Sequence, residues 1–220
     1  MFKPNLRRAF SILLSAAFFF TQFGFMNLNN ESKVFAGKNN FENFTPDSEE
    51  NPLVAEWTGA FGGLPPFDKV KIEQFKPALE AAMEENLAEI DKIVSQKSVP
   101  NFENTIAAME RTGSKLERVA TIYYIWAGTM SSAEMRAVER EMGAKLAAFN
   151  DKITQNEELF KRIETVYNGR NKAKLNAEQK RLVWRYYTNF VRAGAKLDAD
   201  KKKRLSEINQ TLAGLYTRFS

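Results

Sequence analysis

FKPALEAAMEENLAEIDKIV, residues 75–94, sets Phe75, Leu79, Met83, Leu87, Ile90 and Val94 three or four positions apart. That spacing lines up side chains on one face of an α-helix. Pro77 interrupts nothing, because the first turn of a helix has no use for its missing N–H. The segment predicts a helix, and the rest of the chain repeats its period. Phe102, Ile106 and Met109 mark a short helix closed by Gly113. Ser114 and Glu117 have the spacing of a capping box, with Ser114 covering the Glu117 amide and Glu117 reaching back. The helix they open carries Leu116, Val119, Ala120, Tyr123 and Trp126 on one side. A second box, Ser131 to Glu134, precedes Met135, Val138, Met142, Leu146 and Phe149.

Leu159, Phe160, Ile163, Val166 and Tyr167 form the next stripe, stopped at Gly169. Asn176 is expected to cap the helix of Leu182, Val183, Tyr186, Tyr187, Phe190 and Val191, which Gly194 closes. Asp198 caps the last, where Leu205, Ile208, Leu212, Leu215 and Phe219 recur three or four apart. No alternating strand pattern and no repeat of fixed period appears. Residues 51–220 therefore read as one all-α, multi-helix domain of about seven helices. The apolar face of the last helix runs to Phe219 and needs a cover, inside the domain or in further chain.

Ahead of the first helix, Asn51-Pro52-Leu53 leads to Trp57 and to Phe61-Gly62-Gly63-Leu64-Pro65-Pro66-Phe67. Paired glycines and prolines exclude a continuous helix. Trp57, Phe61 and Phe67 are expected to pin this extended segment to the domain. Residues 37–50, rich in Asn, Asp, Glu and Ser, read as a flexible polar linker.

Residues 1–36 read as an address. Lys3, Arg7 and Arg8 precede a largely apolar run from Ala9 to Met26, and Val34-Phe35-Ala36 supplies a small-x-Ala site. A positive region, an apolar core and such a site make a secretory signal peptide, with cleavage expected after Ala36. The apolar run contains Thr21, Gln22 and Gly24 and falls short of the roughly 20 residues a membrane span needs. No stable membrane anchor is expected after cleavage, and the expected location is the periplasm. Four of the 32 basic residues and one of the 27 acids lie in this leader. What remains is 28 against 26, a net charge of +2 instead of +5, which gives little reason to expect nucleic acid as a partner.

The 220 residues include no His and no Cys. Histidine-based zinc sites, Ser-His-Asp and Cys-His triads, disulfides and thiolate nucleophiles are excluded. Glu84, Glu85, Glu103, Glu134, Glu157, Glu158 and Glu178 fall on outer faces or first turns of predicted helices, where solvent and the helix dipole account for them. Lys201, Lys202, Lys203 and Arg204 form the one basic run, at a helix start. Trp57, Tyr123, Tyr124, Trp126, Trp184, Tyr186 and Tyr187 read as core side chains rather than a ligand cage. Gly62-Gly63 lacks the context of a phosphate-binding loop. The residues offer no catalytic, cofactor-binding or metal-ligating site, and no cofactor is expected in this chain.

The order of motifs resembles a family. Asn51-Pro52-Leu53, Phe61 to Asp68 and Phe75-Lys76-Pro77-Ala78-Leu79-Glu80 look like the entry segment of the thimet-oligopeptidase-like zinc metallopeptidases. The most specific likeness is FENTIAAMERTG, residues 102–113. Asn156-Glu157-Glu158-Leu159-Phe160 and Val191-Arg192-Ala193-Gly194-Ala195-Lys196-Leu197 resemble the peptidyl-dipeptidase Dcp branch rather than oligopeptidase A. The likeness implies the N-terminal helical part of a clam-like peptidase, forming a wall of the channel that admits oligopeptide substrates. In that family an H-E-x-x-H helix and a downstream Glu hold zinc, and the Dcp branch releases dipeptides from peptide C-termini. No residue here matches a zinc ligand or catalytic base of the family.

Two readings follow. In the first, the chain is the N-terminal portion of an exported peptidyl-dipeptidase, lacks the C-terminal catalytic half, and is inactive and sticky by itself. In the second, it is a stand-alone, non-catalytic helical module that binds peptides or proteins in the periplasm. A zinc motif encoded downstream of Ser220 would favour the first; an unrelated downstream gene would favour the second.

Overall fold

Helix-forming Ala, Leu, Glu and Met fill 75–94, and this segment is the spine of the molecule. The computed structural model describes residues 51–58 and 63–219. In it, helix α1 spans Phe75–Val94, entered through a 3-10 turn at Ile72–Gln74. A wide π-type turn, Phe102–Ala107, runs into the short α2, Ala108–Glu110. Then come α3 (Ser114–Thr129), α4 (Ala133–Thr154), α5 (Glu157–Gly169), α6 (Ala177–Arg192) and α7 (Ala199–Phe219). Among the described residues there is no strand, only an isolated bridge between Thr58 and Leu64. The all-α expectation therefore holds. The leader at 1–36, the linker at 37–50 and Phe61-Gly62 lie outside the described residues.

α1 serves two packing groups. Its N-terminal half presents buried Phe75, Leu79 and Met83 and touches α3 and α4. The Phe75 ring meets Tyr123 and Trp126 edge-on, with centroids 5.9 and 5.5 Å apart. Its C-terminal end carries Ile90 and Ile93 into a core built with Ile106, Met109, Leu159, Ile163, Val183 and Phe190. That core joins α1 to α2, α5 and α6. Arg162 of α5 is buried at its edge, where its guanidinium donates to the Gln96 carbonyl at 3.0 Å and to Asn104 Oδ1 at 3.2 Å. A buried cation without a carboxylate partner is tolerable when carbonyl oxygens replace its water; the burial nonetheless pulls its pKa down.

Asn176 and Asp198 cap α6 and α7 as their positions predict, accepting from the amides of Gln179 at 2.8 Å and Lys201 at 2.9 Å. Two expected caps need correction. Ser114 makes no cap bond; α3 starts at Ser114 itself, and Gly113 precedes it in a left-handed conformation, φ 77°. There the Gly113 carbonyl accepts from the Glu117 amide at 2.9 Å, and the Gly113 amide donates to Glu89 of α1 at 2.7 Å. An extended backbone is what lets a Ser reach its N3 amide, and the glycine turn replaces it. At α4 the cap is Ser132, accepting from Met135 at 3.1 Å, one residue later than the predicted box.

The segment before α1 is pinned differently from the expectation. Leu53 and Val70 are buried, Trp57 is half-buried, and Phe67 is exposed. A Cβ on Gly63, φ 101°, would stand 2.5 Å from the Trp57 carbonyl, so only glycine fits this close return of the chain.

Candidate functional site

The predicted acidic candidates do not converge. Glu85 pairs with Lys115, Glu103 with Arg111, Glu158 with Lys161 and Glu157 with Lys202. Glu134 is fully exposed beyond the α4 cap, and bonds from the backbone and Ser132 hold its carboxyl below the usual range. Among the described residues, no group of three acidic side chains is placed to hold a metal ion. The described residues therefore do not fit a zinc site. An open groove between α1 and α4 is lined by Glu80, Met83, Leu87, Lys145 and Phe149. Two of its charged side chains, Glu80 and Lys145, belong to a ladder running Lys76–Glu141–Lys145–Glu80 between the two helices, while Glu84 and Lys152 also line the groove. Ion pairs of this half-exposed kind hold position and contribute little energy.

The aromatic candidates divide. Tyr123 and Tyr186 are core side chains, the latter bonded to Glu110, and burial raises both phenol pKa values. Tyr187 stacks on Tyr167 at 3.8 Å, and Arg170 covers the far face of Tyr167 at 3.7 Å. Tyr124 and Trp184, expected inside, are about half exposed. No cage forms among them. Three of the four residues of the basic run are in ion pairs, Lys201 with Asp198, Lys202 with Glu157 and Arg204 with Glu207, and Lys203 is exposed.

What stands out is α7, which lies along α4. A surface helix ordinarily turns its apolar stripe inward. Leu205, the first residue of the predicted stripe, is half-buried against the Gly194 turn, but beyond it α7 does the reverse. Its one buried residue is Lys202, about a tenth exposed, whose Nζ donates to Glu157 at 3.0 Å. Asn209 donates to the buried Asp151 carboxylate of α4 at 2.8 Å. Ala213 and Thr217 face Gly143 so closely that a Cβ there would stand 3.2 Å from the Thr217 methyl. Asp151 Oδ2 and Gln155 Nε2 in this seam are buried without hydrogen-bond partners. The stripe Ile208, Leu212, Leu215 and Phe219 points outward, 40, 43, 52 and 93% exposed. The cover that the sequence demands is not supplied by the described residues.

The sequence announced the stripe but not its direction. Asn209 fits a glycosylation sequon with Gln210 and Thr211, yet its side chain is bound to Asp151. The signal that could have fixed the facing was the small and polar series Ser206, Asn209, Gln210, Ala213, Gly214 and Thr217, on the opposite side of the same helix.

Comparison with known proteins bears on this arrangement. Residues 77–202 match the family description "Neurolysin/Thimet oligopeptidase, N-terminal domain". The chain is 33% identical over 170 residues to "Dipeptidyl carboxypeptidase" of Escherichia coli, covering 77% of this chain and 25% of that protein. It is 32% identical over 156 residues to the Salmonella typhimurium protein of the same name, covering 71% and 23%. Against "Oligopeptidase A" of Escherichia coli the identity is 25% over 170 residues, covering 77% and 24%. The chain thus spans about a quarter of the length of these curated relatives, and it sides with the dipeptidyl carboxypeptidase branch.

Proposed function

This chain belongs to the neurolysin and thimet oligopeptidase family, as a match to its N-terminal helical domain, and from that premise we propose that it is the channel-wall portion of an exported zinc peptidyl-dipeptidase. The observation that carries the reading is the identity difference over the same length: 33% to the dipeptidyl carboxypeptidase of Escherichia coli against 25% to its oligopeptidase A. In this reading the wall shapes access for oligopeptides whose C-terminal dipeptides are released. A zinc ion would, in this reading, be held by residues outside the 220 of this chain, whose own residues would supply none of its ligands. The absence of His and Cys here fits a division of labour in which this region contributes shape and no ligand.

Export rests on the charge and hydropathy order of residues 1–36. Expressed with its leader in a Gram-negative host, the chain is expected in the periplasm with Gly37 as its first residue.

The activity is tested with the purified chain, excess zinc and an N-terminally blocked oligopeptide followed by mass spectrometry. No dipeptide is expected to appear. Zinc-dependent dipeptide release by the chain alone would overturn the assignment as a non-catalytic wall.

A further inference from the structure

The positive charge of residues 51–220 sits in one stretch. Between Arg170 and Lys196 lie eight basic residues and one acid, Glu178, whereas the rest of 51–220 carries 19 basic residues against 21 acids. The stretch comprises the loop after α5, helix α6 and the turn that closes it. We infer that the outer face of α6 is a docking surface for an anionic phospholipid bilayer, held reversibly through Arg181, Arg185 and Arg192 with Trp184 among them.

Helix geometry makes the face. Arg181, Arg185, Thr188 and Arg192 are four, three and four residues apart, which sets them on one line about 17 Å long. The opposite side of α6, Val183, Tyr186 and Phe190, is buried in the core, so the line looks away from the domain. Arg185 is half-buried, whereas Arg181, Arg192 and the loop residues Lys172 and Lys174 are exposed. None of those four exposed cations joins an ion pair among the described residues; Lys196 is paired with Glu164, and Arg170 lies over Tyr167. A strongly positive face on an otherwise slightly negative domain turns that face toward an anionic surface.

The chemistry of the face selects among anionic partners. A protein interface is built around an apolar centre, and Trp184, about half exposed, is the one large exposed apolar side chain on α6. A line of guanidinium groups on a convex helix suits phosphate oxygens spread over a plane, each of which a guanidinium meets through two N–H groups. An indole beside them belongs at headgroup level, its apolar body inward and its N–H toward water. The export reading of residues 1–36 favours lipid over nucleic acid as the source of phosphate, and in that respect alone the inference rests on the proposed function. Each basic side chain brought to an anionic leaflet raises affinity about fivefold, enough in sum for reversible attachment without an anchor.

The test uses residues 37–220, which contain every described residue, and phosphatidylcholine vesicles with or without about a third phosphatidylglycerol. Binding is read by co-sedimentation over a series of salt concentrations and by tryptophan emission. The chain is expected to bind only the vesicles with phosphatidylglycerol, more weakly as salt rises, with a blue shift that Trp184→Phe abolishes. Arg181→Gln combined with Arg192→Gln should weaken binding by about tenfold or more. Lys97→Gln combined with Lys203→Gln, the same loss of charge at exposed positions elsewhere, should leave it within about twofold. Equal binding to both kinds of vesicle, or equal weakening by the two double variants, would overturn the inference. So would tighter binding to oligouridylate RNA than to the anionic vesicles at the same salt, which would assign the face to nucleic acid. No binding to phosphatidylglycerol at low salt would overturn it as well and leave the peptidase reading standing, because that reading makes no use of the outer face of α6 and is judged by dipeptide release alone. The comparison of the two kinds of vesicle needs no variant, so it stands even where a variant fails to fold.

Discussion

The Asn209 side-chain amide donates to Asp151 Oδ1 across the seam between α7 and α4 at 2.8 Å. Asp151 is buried and its second oxygen has no partner, so this one bond carries much of what makes the carboxylate tolerable there. The same contact sets which side of α7 meets the domain. Polar pairing thus orients a helix whose apolar side faces away.

Asn209→Ala removes the donor and leaves the Asp151 carboxylate buried and unsatisfied. The expected cost is about 1–3 kcal/mol, read as a shift of the urea midpoint. Loosening should concentrate in α7, as faster amide exchange there than in α1. A cost near zero would mean the carboxylate finds water or Gln155 at once.

Acid should release the same helix. A hydrogen bond from Lys202 holds the Glu157 carboxyl below its ordinary range, and Lys201 does so for Asp198. A carboxyl lowered by folding stabilises the fold above its unfolded pKa, and that stabilisation is lost as pH falls through the folded value. Attachment of α7 should therefore weaken below about pH 4.5, the ordinary value for Glu157. Lys202→Met keeps the buried stem, removes the charge and should flatten the Glu157 part of this dependence. Exchange of α7 amides between pH 3 and 6, in steps of about half a pH unit around that value, is the measurement.

Much of the fold was legible because burial and helical period agree in α1, α5 and α6, where Ile90, Ile163 and Phe190 are buried at the positions their spacing predicts. Caps were legible where an Asn or Asp precedes the helix in an extended conformation, as Asn176 does. The α3 start was not, because Ser-x-x-Glu looks the same whether Ser114 is the cap or the first helical residue. Gly113 decides between them through a left-handed φ that no spacing reveals. The α7 facing was illegible for a related reason. Periodicity says that a stripe exists, whereas its direction is set by the polar contacts that the opposite side makes with α4.

Gly113→Ala tests that turn. A side chain at φ 77° is strained, and its Cβ would approach the buried Asn86 amide to 3.1 Å. The expected loss is about 1–2 kcal/mol, seen in thermal unfolding with little change in helix content. An unchanged midpoint would show that the turn relaxes freely.

Arg162→Lys tests the clamp on the loop between α1 and α2. A lysine cannot span both the Gln96 carbonyl and the Asn104 side chain, which the planar guanidinium reaches with separate N–H groups. A loss of about 1.5–3 kcal/mol is expected, with the added exchange located at residues 95–104. Loss spread evenly over the domain would contradict the local assignment.

The central claim is that residues 51–220 do the work of the N-terminal quarter of a dipeptidyl carboxypeptidase. Grafted in place of that quarter in the Escherichia coli enzyme, they are predicted to restore stepwise release of C-terminal dipeptides from a blocked oligopeptide. A graft that folds as a monomer and retains zinc, yet releases no dipeptides, would contradict it.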